Sequence, residues 1–414
     1  MASVVLIGTL DTKGEEYAFV RDRIVAAGCE VVMVNAGALG DPDYPVEYGR
    51  GDVARAAGHD LDELVASGDR GDAVSAMGEG AARIAADLHR AGRLDAVLGM
   101  GGSGGSSIVS RAMRALPIGV PKVLVSTMGA GDVSAFVGTS DIAMTYSVVD
   151  IAGVNRVSAR ILANAAASAA AMAKGATMPI DDTDGSHPLV GATMYGTTTP
   201  CVNRSRGVLA DRGFEVLVFH ATGTGGRSME SLVASGHITA VLDVTTTELM
   251  DEVAGGTLTA GPDRLEIAGR LGIPQVVSLG AVDQITFTPH EAVPAHFADR
   301  HAYVHNPSIV LVRSNADECE ELGRVIAGKL NRAEGPVSLF VPLRGTSSYA
   351  VPGGVFHDPE ADRALFGSLR AHLDRGVDRI EIDADINDPV FAEAMADRLD
   401  ELYRRWATAR RMEK

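Results

Sequence analysis

The stretch VLGMGGSGGSSIVSRAM, Val97 to Met113, sets five glycines and the hydroxyls of Ser103, Ser106 and Ser107 directly behind a short apolar run. Three chemistries use such a loop. Gly99, Gly101 and Gly104 fit G-x-G-x-x-G after a strand and before a helix, the arrangement that lets a dinucleotide phosphate approach the backbone. An NAD site also wants an acid about 20 residues further on for the ribose. No Asp or Glu stands between Gly105 and Gly131, which argues against NAD. Gly101 to Gly105 also fits G-x-S-x-G, with Ser103 as a hydrolase nucleophile. The third chemistry is a phosphate cradle without a Walker lysine of its own. In it, consecutive backbone N–H groups and hydroxyls at a helix start face an anion.

A lysine for that cradle is available at Lys13, in GTLDTKG just past the first apolar run. In a doubly wound sheet the carboxyl ends of the strands line one crevice. Asp11, Thr12 and Lys13, the loop Gly101, Gly102, Ser103, Gly104 and Gly105, and the strand exit Ser126 and Thr127 are then expected to converge. Lys13 would neutralise phosphate. Asp11 would hold Mg²⁺, a ribose or a helix start. The competing reading is that these are only tight turns behind buried strands.

The elements needed to position these residues are legible. SVVLIGTL, EVVMVNAG, LDAVLGM and PKVLVST are apolar runs without alternation, as expected of strands covered on both faces, and helical patterns separate them. After AKGATMPIDDTDGSHP, Ala173 to Pro188, which reads as a linker, a second series begins: LVGATMYG, FEVLVFHATG, AVLDVTTTE, IPQVVSLGAVD, SIVLVRS, VSLFVPLRG and RIEIDADIND. The pattern predicts an α/β protein of two Rossmann-like doubly wound domains with mainly parallel sheets, residues 1–180 and 187–414. ILANAAASAAAMA is too short and alanine-rich to span a bilayer and reads as a helix close against a sheet. Thr12 to Glu15 and Thr245 to Glu248 fit the T-x-x-E capping box.

The 414 residues carry a formal charge of −17, which disfavours nucleic-acid binding. Three isolated cysteines, no signal-peptide pattern and no apolar span suit a cytoplasmic protein with no membrane partner. In the second half, HATGTGGRSMES gathers His220, Thr222, Thr224, Arg227 and Glu230; Asp243, Glu248 and Asp283 stand at later strand exits. Arg227, Glu230 and Asp283 are the candidate catalytic residues for a small anionic metabolite in a crevice between the domains, Arg227 offering a planar fork to its charge. The competing reading is a solvated rim of caps. His290, His296, His301 and His305 have no metal-ligand spacing, and Cys201 at a helix start reads as a buried apolar thiol.

GTLDTKGEE, GMGGSGGSS, LPIGVPKVLVST, VGTSDI, SVVDIAGVNRVS, TTPCVN, VFHATGTGGRSME and LDVTTTE together resemble the largely uncharacterised bacterial, fungal and plant family that includes the N-terminal domain of the tomato mosaic virus resistance protein. The resemblance covers roughly residues 3 to 400. It implies two Rossmann-like domains, ATP in the first, and a homodimer. By it the ATP contacts fall on Asp11, Thr12, Lys13, the Gly101–Gly105 loop, Ser126 and Thr127, and also on Asn35, Arg70 and Gly71. Two positions depart from the family pattern: Asp385 where histidine is usual and Ala350 where an acid is common. Three functions stay open at this point: a nucleotide-dependent enzyme, a nucleotide-binding interaction module without turnover, and a serine hydrolase using Ser103.

Overall fold

The computed structural model describes residues 1–178, 187–288 and 293–412. The chain divides into two compact units, Met1–Asp182 and Thr183–Lys414.

The first unit runs β1 (Ser3–Gly8), α1 (Leu10–Ala26), β2 (Glu30–Asn35), α2 (Arg50–Ala56), α3 (Leu61–Ala66), α4 (Arg70–Arg90), β3 (Ala96–Gly101), α5 (Ser103–Arg114), β4 (Lys122–Ser126), α6 (Ser134–Val137), β5 (Ile142–Tyr146) and α7 (Ser158–Ala176). Its strands form one sheet in the order β2-β1-β3-β4-β5, every pairing parallel. Successive strand residues face opposite ways, so both faces of each apolar run are used. Val5, Ile7, Val34 and Val97 pack with Val53, Met77, Ile84 and Ile108 of α2, α4 and α5. Val4, Leu6, Leu98 and Val125 pack with Tyr17, Val20 and Ile24 of α1 and Leu162 of α7. The alanine-rich stretch is α7. Its Ala165, Ala166, Ala169, Ala170 and Ala173 are buried in that second layer, where small side chains allow close approach to the sheet.

The second unit runs β6 (Leu189–Met194), α8 (Thr199–Asp211), β7 (Glu215–His220), α9 (Thr224–Ala234), β8 (Ala240–Thr245), α10 (Thr247–Ala254), α11 (Ile267–Arg270), β9 (Gln275–Gly280), β10 (Gln284–Phe287), β11 (Ala302–Asn306), β12 (Ile309–Arg313), α12 (Ala316–Asn331), β13 (Val337–Pro342), α13 (Pro359–His372), β14 (Asp378–Ile382) and α14 (Pro389–Met412). Six strands form a parallel sheet, β14-β13-β9-β8-β6-β7. Helices α8 and α14 cover one face, through Val202, Leu209, Phe391, Met395 and Leu399. Helices α10, α12 and α13 cover the other, through Met250, Ile326 and Leu365.

SIVLVRS, expected in the parallel series, is instead the centre of a separate antiparallel sheet, β10-β12-β11. The reason is connection length. Three residues separate β9 from β10 and two separate β11 from β12, too few for the crossover that a parallel pair needs.

Candidate functional site

In both sheets the first strand of the unit lies inside, flanked by the second on one side and the third on the other. The chain therefore leaves β1 and β3 toward opposite faces, and a crevice opens between their carboxyl ends. Tyr17 of α1 fills the bottom of that split. Its buried hydroxyl donates to the Ile7 carbonyl at 2.6 Å and accepts the Met100 N–H at 2.7 Å. Burial raises the phenol above its ordinary range, so it stays a neutral donor.

Above this bridge lies a cavity of about 590 Å³ wholly within the first unit. Asp11, Thr12, Lys13, Arg70 and the loop Gly102–Gly105 line it. The structure thus brings three sequence-distant segments to one space. Helix α5 starts there with Gly102 as its extended N-cap, with no side-chain cap and no acid in its first turn. The first intrahelical bond, Ser106 N–H to the Gly102 carbonyl at 2.9 Å, leaves the amides of Ser103, Gly104 and Gly105 at the open helix end. Glycine is needed at Gly101, since a Cβ there would lie 2.8 Å from the Gly105 Cα. The Arg70 guanidinium flanks the loop, 3.9 Å from the position of a Gly104 Cβ.

Lys13 interrupts the regular helix of α1 with φ −129° and ψ 23°, and its ammonium donates to the Ile151 carbonyl. Asp11 accepts the Leu39 N–H at 3.0 Å through one carboxylate oxygen, while the other is buried without a partner. Gly37 lies against this carboxylate so closely that a Cβ would fall 2.4 Å from it. Much of the remaining cavity wall is apolar: Leu64 and Val65 of α3, Ala73, Val74 and Met77 of α4, and Ile108 of α5. Sequence reading missed this wall and also Asp150, which joins the lining. In sequence the apolar residues of α3 and α4 do not differ from core residues, and only the fold reveals the part that is left over to face a hollow.

The other expected contacts do not line the cavity. Asn35 is fully buried. Its amide oxygen accepts the Leu10 N–H at 3.2 Å and the Gly37 N–H at 3.0 Å, and its amide nitrogen donates to the Gly40 carbonyl at 3.1 Å. It therefore shapes the exits of β1 and β2 instead of facing the space. Ser126 is buried, with its hydroxyl 2.7 Å from that of Ser106. Thr127 sits under Gly102, its hydroxyl 3.7 Å from where a Cβ would be. The Gly71 amide is taken by Asp69, the N-cap of α4, at 2.8 Å. Ser103 is exposed at the cavity, but no histidine stands among the described lining residues, so the nucleophile–base pair of a hydrolase is not assembled.

In the second unit the three candidate residues are engaged elsewhere. Arg227 is exposed and donates to the Thr259 carbonyl at 2.9 Å. Glu230 accepts the Leu265 N–H, and burial raises its carboxyl despite the nearby Arg264. Asp283 is buried beneath the Ser347 and Thr346 hydroxyls, at 2.8 and 3.0 Å, and burial raises it too. The unexpected residue is Arg264. It is buried, forks onto Asp243 at 2.5 and 2.7 Å and reaches Glu248 at 2.7 Å. Burial alone would weaken its charge, but these carboxylates and Glu230 hold it protonated. Neither expected capping box forms. Thr12 sits inside α1, and Glu248 caps a different helix, accepting Gly223 and Gly226 N–H at 2.6 and 3.0 Å.

Cys201 is buried, and its thiol is pushed up to about 12 by burial, as an inert core cysteine should be. His290 lies outside the described residues, and no cluster of metal-ligating side chains occurs among those described. No described helix is long and apolar enough to cross a membrane.

The N-terminal domain of uncharacterised protein family UPF0261 matches residues 2–178, and its C-terminal domain matches residues 187–403. A UPF0261 protein of Clostridium tetani is 46% identical over 397 residues, covering 96% of this chain and 98% of its own. The tomato (Solanum lycopersicum) ToMV susceptible protein tm-1(GCR26) is 36% identical over 423 residues, covering 95% of this chain but 55% of its own length. The tomato ToMV resistance protein Tm-1(GCR237) is 40% identical over 334 residues, 79% of this chain and 44% of its own. Among solved structures, a UDP-N-acetylglucosamine 2-epimerase from Rickettsia bellii aligns over 66% of this chain and 78% of its own at 13% identity, with a TM-score of 0.21.

Proposed function

The chain belongs to the UPF0261 family, and we propose that its first unit binds a nucleotide, ATP, in the cavity between β1 and β3. One observation carries the reading: the uncapped, acid-free N-terminus of α5 opens into the same cavity as Lys13, Arg70 and an apolar wall. Aligned amides at a helix start attract phosphate. Lys13 and Arg70 add charge beside them, and Leu64, Val74 and Met77 offer a surface for a flat base. The family resemblance implies the same ligand. The lining holds three carboxylates, Asp11, Asp69 and Asp150, against two cations. A bare triphosphate would meet an excess of negative charge there, which favours its Mg²⁺ complex as the ligand.

Gly101, Asn35, Gly71, Ser126 and Thr127 belong to this reading as supports of the loops. The homodimer carried by the resemblance is tested by sedimentation of the chain. The cavity is tested by calorimetry with MgATP. Wild type should bind, and Lys13→Met should bind about tenfold or more weakly, the effect of losing one charge-assisted bond. Equal heats and affinities for the two proteins would remove Lys13 from the site.

A further inference from the structure

The segment that follows β5 borders the cavity through Asp150 and holds one residue in a strained conformation. Val148 has φ +62°, a region β-branched residues avoid, and is 61% exposed, so core packing does not force it there. The Val149 N–H donates to the Ser147 carbonyl at 2.7 Å, closing a three-residue turn about Val148. With positive φ such a turn is rare and strained. Strain of this kind persists only where the surroundings fix it, and it clusters at ligand clamps and switches.

Within the turn the Ser147 hydroxyl also donates to the Val149 carbonyl at 2.7 Å, and further contacts hold the segment to its surroundings. The Ser147 N–H donates to the Ser126 carbonyl at 3.1 Å. The Gly153 N–H donates to the buried Glu16 carboxylate at 2.7 Å. Lys13, which lines the cavity, donates its ammonium to the Ile151 carbonyl. The Ile151 side chain is anchored in the core, so the segment is held at both ends and at its middle, and the Lys13 bond is the contact among these that a ligand in the cavity can take.

The geometry points to a ligand-responsive strap formed by Ser147–Gly153. Lys13 holds the strap down through a neutral carbonyl. A phosphate oxygen is the stronger acceptor for an ammonium. A polyphosphate entering beside α5 takes Lys13 from Ile151, and the turn at Val148 relaxes. The strap is thus a built-in competitor for the cavity's lysine, and by linkage anything that stabilises the clamped strap weakens ligand binding. This inference rests on the nucleotide reading.

Hydrogen exchange across residues 147–153 of the full chain, with and without MgATP, tests it, with calorimetry on the same samples. In wild type MgATP should speed exchange in the strap about tenfold while slowing it in the Gly102–Ser106 amides, the opening released by one charge-assisted bond. Lys13→Met should exchange fast without ligand and respond no further. Val148→Asn, which tolerates positive φ while keeping a side chain, should clamp the strap more firmly. It should slow strap exchange and weaken MgATP binding. Strap exchange unchanged or slowed by MgATP, in protein that the calorimeter shows to be liganded, overturns the strap and leaves the nucleotide reading standing. An absence of binding heat overturns both.

Discussion

The Glu248 carboxylate accepts the Gly226 N–H at 3.0 Å, and so occupies the start of the glycine-rich helix α9 in the second unit. The two units carry similar glycine-rich strand exits, but in the second a carboxylate takes the Gly223 and Gly226 amides, whereas the first has no acid at its helix start. In the second the chain's own carboxylate sits where an anion would, and buried Arg264 balances it. Glu248→Ala should therefore be a stability mutation. Removing one partner of a buried pair costs about 3–5 kcal/mol, while MgATP affinity in the first unit should be unchanged. Urea unfolding paired with calorimetry checks both; a fall in ATP affinity without loss of stability would refute the assignment.

Asn35 supports the cavity without facing it. Asn35→Ala would leave the buried amides of Leu10 and Gly37 without acceptors, each costing about 1–3 kcal/mol. Because Gly37 and Leu39 bear on Asp11, the lost order should also weaken MgATP binding. Asn35→Asp keeps the acceptors but sets a carboxylate oxygen against the Gly40 carbonyl and Asp41. It should be no better tolerated. A stable Asn35→Asp protein with lower ATP affinity would mean that Asn35 meets the ligand itself.

The strands buried on both faces were legible in the sequence because burial leaves an almost unbroken apolar run, and β1 and β3 are such runs. Strand β11 was not, since all five of its residues are exposed and no pattern marks it, and β10 is only four residues long. The polar half of the cavity could be read because Asp11, Lys13 and Ser103 stand just past strand ends, where an α/β sheet gathers chemistry. The roles of Asn35 and Glu248 could not. Each depends on amides from a segment distant in sequence, and the sequence shows only a polar residue behind a strand. Arg264 sits among loop-like residues, and nothing around it announces a buried charge.

Gly101→Ala separates backbone geometry from side-chain chemistry. The added methyl would press on the Gly105 backbone, 2.8 and 3.1 Å away, so the first turn of α5 must move. Overpacking of this kind costs about 1–3 kcal/mol, and the displaced amides should bind MgATP at least tenfold more weakly. Ser103→Ala removes only an exposed hydroxyl and should weaken binding less than tenfold. The reverse order in calorimetric titrations would make the hydroxyl, not the amide cradle, the dominant contact.

Asp251 gives the second unit a pH signature. It is fully buried and accepts the Thr286 and Leu258 amides at 2.8 and 3.0 Å. Burial raises its carboxyl from 3.8 to about 7, outweighing those two bonds, with Glu248 adding to the rise. The folded chain keeps this proton where the unfolded chain has already lost it. The stabilisation is complete below the unfolded value and is lost as pH rises from about 4 through 7. Its steepest slope is about 1.4 kcal/mol per pH unit. Asp251→Asn carries no such proton. The stability of wild type relative to Asp251→Asn, measured by urea unfolding, should therefore fall between pH 4 and 7 and level off above 8. A difference that stays flat over that range would mean that Asp251 is ionised in the folded chain throughout.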